Sequence, residues 1–188
     1  ALPNVEIDLC PMADGGRGIA AAYANAVGGE QLESTSTDPL GRPILAQWCL
    51  NKKEKTAIIE IASASGFERL NDEERDPMNT TSFGTGELIA AAVNEGAKRI
   101  IVGLGDSATI DGGMGLCQAL GLGLIGIEGY ATGGKLLDIK DLKQSTRFAK
   151  FKGVEFIAAC DVDNPLLGER GAVAIFGKQK GATASTAP

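Results

Sequence analysis

Three loops of the 188-residue chain combine glycines with carboxylates. They span residues 11–18, residues 103–115, and residues 161–165 with the related segment 177–182. Glycine lets backbone N–H groups approach an anion, while carboxylates hold Mg²⁺ or accept the proton of a substrate hydroxyl. Because ligand sites of open α/β sheets gather at the carboxyl ends of strands, we expect the three loops to converge on one pocket.

In the first loop, Asp14 precedes Gly15 and Gly16 at an expected junction between a strand and a helix. We expect the two glycines to contact substrate or phosphate, with help from the helix dipole. Asp14 is suited to accept a hydroxyl proton or to hold a metal ion. A structural alternative stays open, in which Asp14 caps the helix and the glycines only form the turn.

The second loop holds five glycines, two hydroxyls and two carboxylates in thirteen positions, a density that a purely structural turn rarely needs. Ser107, Thr109 and the amides of Gly112 and Gly113 suit the oxygens of a phosphate or a carboxylate. Asp111 suits a substrate hydroxyl, whose proton it would accept.

The third loop places two acids one residue apart at the end of a predicted strand, and Asp161 and Asp163 can therefore share a hard cation such as Mg²⁺. In the related segment, Gln179 and Lys180 lie between small residues, from where Lys180 can reach a phosphate. The alternative is a turn that ends at Pro165, with the lysines in solvent.

The composition excludes several kinds of chemistry and partner. Histidine is absent, which excludes a Ser-His-Asp triad, a Cys-His pair and histidine metal ligands. A net charge of −6 attracts neither nucleic acid nor an anionic membrane. No apolar run approaches the ~20 residues of a membrane span, and no signal-peptide pattern is present. The four cysteines lie in apolar stretches, which predicts buried free thiols in a reducing cytoplasm.

Strand and helix patterns alternate along the chain, which predicts an α/β fold. A β-hairpin with the charged turn 51–55 adds an antiparallel part. Helices are expected over 16–27, 85–95 and 113–120. Strands are expected over 4–10, 44–50, 56–62, 99–104, 122–128 and 154–160.

Three familiar phosphate-site patterns are incomplete in this chain. The sequence 103–108 imitates a dinucleotide fingerprint, but Asp106 would place a negative charge against the pyrophosphate. The sequence 129–135 imitates a P-loop, but Leu136 replaces the magnesium-binding Ser or Thr. The Asp-x-Asp of the third loop resembles the haloacid-dehalogenase nucleophile motif, but Pro165 occupies its usual Thr or Val position and too little chain follows.

Taken together, the motifs resemble those of the bacterial-type glycerate kinase family, in order and spacing along nearly the whole chain. The matching stretches are PMADGGRG (11–18), DPLG (38–41), IASASG (61–66), RDPMNTTSFGTGELI (75–89), GLGDSATIDGGMG (103–115), CDVDNPLLGERGA (160–172) and FGKQKGA (176–182). The resemblance implies a cytoplasmic kinase that uses ATP and Mg²⁺ to phosphorylate D-glycerate, with 2-phosphoglycerate favoured as product. In that reaction Asp14, Asp111 and Lys180 would be the catalytic residues.

The same resemblance implies a flavodoxin-like domain interrupted by a second α/β domain with a mixed sheet. Residues 1–30 would belong to the first domain and residues 31–188 to the second. Family members are considerably longer than this chain, so a catalytically incomplete nucleotide- or metabolite-binding fragment stays the alternative. A dinucleotide-dependent oxidoreductase is a more distant one, and the oligomeric state is open.

The chain departs from the family at four positions near the glycine loops. The family usually has Glu at Arg17, Thr at Ile19, Gly at Asp106 and Pro at Lys178. Arg17 reverses a charge close to Asp14, which bears on the metal or substrate role of that loop.

Overall fold

The computed structural model describes residues 6–186, whose central feature is a five-stranded mixed sheet with a separate two-stranded sheet. The strands are β1 (Glu30–Thr37), β2 (Pro43–Asn51), β3 (Thr56–Glu60), β4 (Arg99–Gly103), β5 (Leu122–Ile125), β6 (Asp141–Gln144) and β7 (Glu155–Ala159). The α-helices are α1 (Ile19–Val27), α2 (Ile61–Ser65), α3 (Phe83–Asn94), α4 (Met114–Ala119) and α5 (Ala172–Phe176). Short 3₁₀ helices cover Phe67–Arg69, Asp72–Glu74, Gly133–Asp138, Phe148–Phe151 and Lys178–Lys180.

The large sheet has the strand order β1-β2-β3-β4-β7, and β5 pairs with β6 in the small one. The pairs β1–β2 and β2–β3 are antiparallel, whereas β3, β4 and β7 run parallel. The last residues of these parallel strands, Glu60, Gly103 and Ala159, lie side by side in register. The loops that follow them therefore leave the sheet at one edge, which is the edge that carries the candidate site.

The two faces of the large sheet are covered by different helices because side chains alternate along each strand. On one face, Trp48 and Leu50 of β2 belong to the main core, which includes Leu88 of α3. On the other face, Cys49 and Ile58 form a smaller cluster with α1. Each large apolar side chain buried in this way stabilises the fold by about 1.5–3 kcal/mol.

The predicted α/β class and the hairpin are confirmed, but within the first 40 residues one predicted strand is not found and one observed strand was not predicted. Residues 6–10 of the predicted strand 4–10 form no strand, because no ladder pairs them with the described sheet, and residues 4–5 lie outside the described range. Strand β1 was not predicted, because its sequence EQLESTST is polar and only its far end is buried. It is an edge strand that pairs with β2 over its whole length.

The domain boundary at residue 30 stays a prediction. Helix α1, from the segment before that boundary, contributes Ala20 to the cluster that contains Ile58 of β3. The first segment therefore packs on the sheet of the second one. None of the helices described in residues 6–186 combines the length and apolar character that crossing a bilayer requires.

Candidate active site

A cavity of about 400 Å³ opens at the carboxyl ends of β4 and β7, and all three predicted loops line it. Its lining includes Asp14 and Gly16 from the first loop, Leu104–Ser107 from the second, and Cys160–Val162 with Gln179 and Lys180 from the third and its related segment. The aromatic rings of Phe67 and Phe176 complete the wall. The structure thus brings together the loops that the sequence singled out.

Close backbone contacts between glycines allow the first and second loops to meet. The amide of Gly105 donates to the carbonyl oxygen of Gly15 at 3.1 Å, and the amide of Leu104 donates to that of Ala159 at 3.1 Å. A Cβ on Gly105 would lie 2.5 Å from the Cα of Gly16, and one on Gly15 would lie 2.8 Å from the oxygen of Ala159. Larger residues at these two positions would force the loops apart.

The wall of the cavity includes three carboxylates. Asp14 is exposed, and its Oδ1 accepts from the amide of Gly16 at 3.0 Å. Asp106 is exposed, and its Oδ2 accepts from the amide of Arg17 at 3.4 Å. A Cβ on Gly16 would lie 3.1 Å from an oxygen of each, so the two carboxylates flank the same glycine. Asp161 lies on the same cavity, and the three together make this wall strongly acidic.

Asp106 was not among the predicted site residues, although it lines the cavity. Its φ angle is +61°, in the left-handed region that Asp tolerates better than most side chains. The family usually carries glycine at this position, and that glycine indicates a backbone with a positive φ angle.

The same lining carries one half-buried cation, the ammonium group of Lys180. The Nζ of Lys180 donates to the Oγ of Ser107 at 2.6 Å and to the carbonyl oxygen of Thr109 at 3.0 Å. Burial lowers the pKa of Lys180 to about 8, and the negative charge of Asp111 opposes this shift. The structure therefore brings Lys180 and Ser107, which were predicted separately as site residues, into direct contact.

Asp111, the predicted proton acceptor of the second loop, lies outside the cavity lining and is only 2% exposed. Its Oδ2 accepts from the amide and the hydroxyl of Ser82, at 2.8 and 2.7 Å, and from the amide of Gly115 at 3.1 Å. Its Oδ1 accepts from the amide of Gly113 at 3.0 Å. These contacts occupy both carboxylate oxygens and favour a positioning role, in which Asp111 joins the starts of α3 and α4.

The other predicted ligand groups differ in whether they reach the cavity. Thr109 is 7% exposed and contributes its carbonyl oxygen to Lys180. Gly112 and Gly113 have positive φ angles of 60° and 73° and do not line the cavity. Gln179 is exposed and does line it.

The two predicted metal ligands of the third loop point to different surroundings. Asp161 lines the cavity, whereas Asp163 forms an ion pair with the guanidinium of Arg170 at 3.4 Å. Within residues 6–186, no group of three or more His, Cys, Asp or Glu side chains is arranged to hold a metal ion. A cation at this cavity would therefore need ligands from a substrate or from water.

The reversed charge at Arg17 does not enter this cavity. Its guanidinium forms an ion pair with Glu68, and that hydrogen bond holds the pKa of Arg17 above its usual range. The side chain lines a separate cavity of about 390 Å³ together with Glu68 and Arg69. Arg17 is therefore absent from the lining of the acidic wall, although its charge still interacts with the carboxylate of Asp106.

The cysteines are free, as predicted, but only one of the four is buried. Cys49 is buried, which raises its pKa, and Cys117 is half-buried. Cys10 and Cys160 are exposed, because Cys10 lies in a segment without a strand and Cys160 follows the edge strand β7 into the cavity.

A family model described as the glycerate kinase family matches residues 1–188. Among curated relatives, a glycerate kinase of Halalkalibacterium halodurans is 42% identical over 188 residues, which are 98% of this chain and 50% of the relative. The glycerate 2-kinase of Escherichia coli is 45% identical over 184 residues, which are 96% of this chain and 48% of the relative.

A solved structure shares the fold. It is described as a glycerate kinase 2 from Salmonella typhimurium LT2, is 41% identical, and superimposes with a TM-score of 0.89. The match covers 98% of this chain and 51% of the other. The chain thus spans about half the length of the relatives it matches.

Proposed function

Because the chain belongs to the glycerate kinase family, we propose that it forms part of an enzyme that transfers the γ-phosphoryl group of ATP to D-glycerate. The observation that carries this proposal is a cavity whose lining combines a half-buried lysine with three carboxylates. Phosphoryl transfer needs this combination, since catalysis consists mainly of positioning the reactants and neutralising charge. The name of the Escherichia coli relative supports 2-phosphoglycerate as the product.

Lys180 and Ser107 form the phosphate side in this proposal. The hydrogen bonds of Lys180 to Ser107 and Thr109 hold the ammonium group at a fixed place on the cavity wall. A phosphate dianion next to it would favour the charged form and raise its pKa again. Lys180 would thereby neutralise the transferring group, with Ser107 and the exposed Gln179 as additional phosphate contacts.

Asp14 and its neighbours form the hydroxyl side. Among the described residues 6–186, Asp14 accepts only at Oδ1, from the amide of Gly16, so its second oxygen is available for a substrate hydroxyl. We assign the proton-accepting role to Asp14 in preference to Asp111, whose two oxygens already accept four hydrogen bonds. Asp111, Gly112 and Gly113 would then keep the second loop in shape.

The acidic wall fits Mg²⁺ by the chemistry of its donors. Asp14, Asp106 and Asp161 offer carboxylate oxygens, and Mg²⁺ is usually bound by one or two carboxylates together with phosphates and water. When bound with ATP, the ion would neutralise charge on the phosphate oxygens. Asp161 is the predicted metal ligand that this wall retains, while Asp163 would keep its contact with Arg170.

The domain assignment belongs to the same proposal. We propose that residues 1–30 contribute to a flavodoxin-like domain and residues 31–188 form the inserted domain of a cytoplasmic enzyme. The relatives are about twice as long as the matched region, so the remaining part of the site would come from the half that this chain does not cover.

The test is product formation measured by ³¹P NMR with D-glycerate and Mg-ATP. One sample is the chain itself, and the other is a chimera in which the chain replaces the aligned half of the Escherichia coli glycerate 2-kinase. We expect the chimera to form 2-phosphoglycerate, and product from the chain alone would show that these loops suffice. A folded chimera that forms no phosphoglycerate, beside an active parent enzyme, would overturn the proposal.

A further inference from the structure

Glu60 occupies the N-terminus of α1, although it belongs to a different element of the fold. It is the last residue of β3 and only 9% exposed. Its Oε1 accepts from the amide of Gly18 at 2.9 Å and from the amide of Ala20 at 3.0 Å. A buried carboxylate from the sheet thus satisfies amides that the helix itself cannot use.

The neighbouring amides of the first loop are also bonded to carboxylates. The amide of Gly16 donates to Asp14, and the amide of Arg17 donates to Asp106. Four amides of the loop, at residues 16, 17, 18 and 20, therefore donate to acidic side chains. The acidic acceptors come from three places in the chain: Asp14 from the loop itself, Asp106 from the second loop and Glu60 from β3.

This arrangement changes what the loop can bind. A glycine-rich turn before a helix normally attracts an anion, because the free amides and the helix dipole both favour negative charge. Here the negative charge is supplied by the protein. A phosphate at the same amides would have to displace these carboxylates and would be repelled by them.

We propose that Glu60 is a positioning residue of the site, which holds the first glycine loop so that it presents Asp14 and Asp106 to the cavity and takes no phosphate. The loop then serves a cation or a substrate hydroxyl, and phosphate binds at Lys180 and Ser107 instead. The kinase part of this inference rests on the proposed function. It replaces the expectation that the amides of Gly15 and Gly16 bind phosphate.

Two substitutions separate the hydrogen bonds of Glu60 from its charge. Glu60→Gln retains a side-chain oxygen that can accept from Gly18 and Ala20. Glu60→Ala removes the acceptor and leaves both amides free at the start of the helix. Asp38→Ala is a matched control, because Asp38 is 2% exposed and accepts from the amides of Leu40 and Arg42, both at 2.9 Å, away from the cavity.

The binding test is a titration of the folded, ¹⁵N-labelled chain with inorganic phosphate. In the unchanged chain we expect the amide signals around Ser107 and Lys180 to shift, and those of Gly18 and Ala20 to stay in place. Glu60→Ala is expected to create phosphate-dependent shifts at Gly18 and Ala20. Equal shifts at Gly18 and Ser107 in the unchanged chain would overturn the proposal, as would the absence of any new response in Glu60→Ala.

The kinetic test uses the chimera with the Escherichia coli half. Glu60→Ala is expected to lower kcat by about 10- to 100-fold through misplacement of Asp14. The KM for ATP should stay within about twofold, and Glu60→Gln should recover most of kcat. Asp38→Ala should lower the melting temperature without changing kcat per folded molecule. If Glu60→Ala behaves like Asp38→Ala, Glu60 has no positioning role in the reaction.

The two tests also keep the inference apart from the proposed function. An inactive chimera together with the expected phosphate shifts would reject the kinase proposal and leave the division of the cavity intact. An active chimera whose Gly18 and Ala20 amides bind phosphate would support the kinase proposal and reject the division of the cavity.

Discussion

The sequence Asp-Gly-Gly occurs in both the first and the second loop, at residues 14–16 and 111–113, and forms the same local hydrogen bond in each. In both cases the aspartate Oδ1 accepts from the amide two residues later, at 3.0 Å. The surroundings then differ. Asp14 is exposed on the cavity, whereas Asp111 is 2% exposed and accepts three more hydrogen bonds. The local sequence determines the hydrogen bond within the turn, whereas contacts with distant residues determine whether the aspartate carboxylate is free to react.

The largest effect is expected from Asp14→Asn in the chimera. The substitution keeps the oxygen that accepts from Gly16 but removes the group proposed to take the glycerate proton. We expect kcat to fall by about 10²- to 10⁴-fold, with little change in melting temperature. Steady-state kinetics with D-glycerate measures this, and a near-normal kcat would contradict the role of Asp14.

Asp111 provides the contrasting case. Asp111→Ala should lower the free energy of unfolding by about 3 kcal/mol, because it leaves buried donors of Ser82 and Gly115 without a partner. Urea unfolding measures this loss. Asp111→Asn retains one acceptor and should reduce kcat far less than Asp14→Asn does. If Asp111→Asn instead lowers kcat by orders of magnitude at unchanged stability, Asp111 is the proton acceptor and the comparison is reversed.

The pH dependence of the rate tests the role of the Lys180 ammonium group. Since burial lowers the pKa of Lys180 to about 8, kcat/KM for ATP should fall by about tenfold per pH unit above that value, as the ammonium form is lost. Lys180→Met should show a low rate without this dependence. Lys178→Met is the control, because Lys178 is exposed outside the cavity lining, and it should keep the profile.

The contribution of Lys180 to stability is expected to change with pH in the direction opposite to its effect on the rate. Its pKa is lower in the folded chain than in the unfolded one, so the unfolded chain binds more protons between about pH 8 and 10.5. The contribution of Lys180 to the free energy of unfolding should therefore rise across that range and be smallest below it. Comparison of the unchanged chain with Lys180→Met by urea unfolding measures this contribution, and equal pH trends would contradict the buried ammonium.

The smallest effect is expected at Asp106, which brings the second loop to the amides of the first. Asp106→Gly relieves a left-handed backbone that costs about 1 kcal/mol, which would raise the melting temperature by up to about 2–4 °C. It should also raise the Mg²⁺ concentration needed for half-maximal rate. Asp106→Asn removes only the charge, because Asn tolerates the left-handed backbone. It should therefore raise the Mg²⁺ concentration needed for half-maximal rate without raising the melting temperature.

Sequence patterns predicted the local parts of this molecule well. The hairpin 44–62, helix α3 and strands β4 and β7 were found close to their observed bounds, because their apolar periodicity and turn residues are local signals. The three loops were found from their glycines and carboxylates. Strand β1 was missed because a polar edge strand is specified by its pairing with β2, which composition does not reveal.

The division of roles within the site could not be predicted, because it depends on long-range contacts. Ser82 lies 29 residues before the carboxylate of Asp111 that it satisfies. Glu60 lies 42 residues after the amide of Gly18 that it caps. Without these partners, Asp14 and Asp111 are equivalent in sequence, and Glu60 is one more polar residue at the end of a strand.

The backbone contacts of Gly15 have a consequence for synthesis. Gly15 lies near the start of the chain, yet its carbonyl accepts from Gly105 and its Cα packs against the carbonyl of Ala159. The first loop cannot take its cavity-lining shape until both partners have left the ribosome, which at about 5–20 residues per second means a delay on the order of 10 s. During that interval the nascent chain has its glycine loop but no pocket, so a ligand of this cavity cannot assist the early folding of this segment.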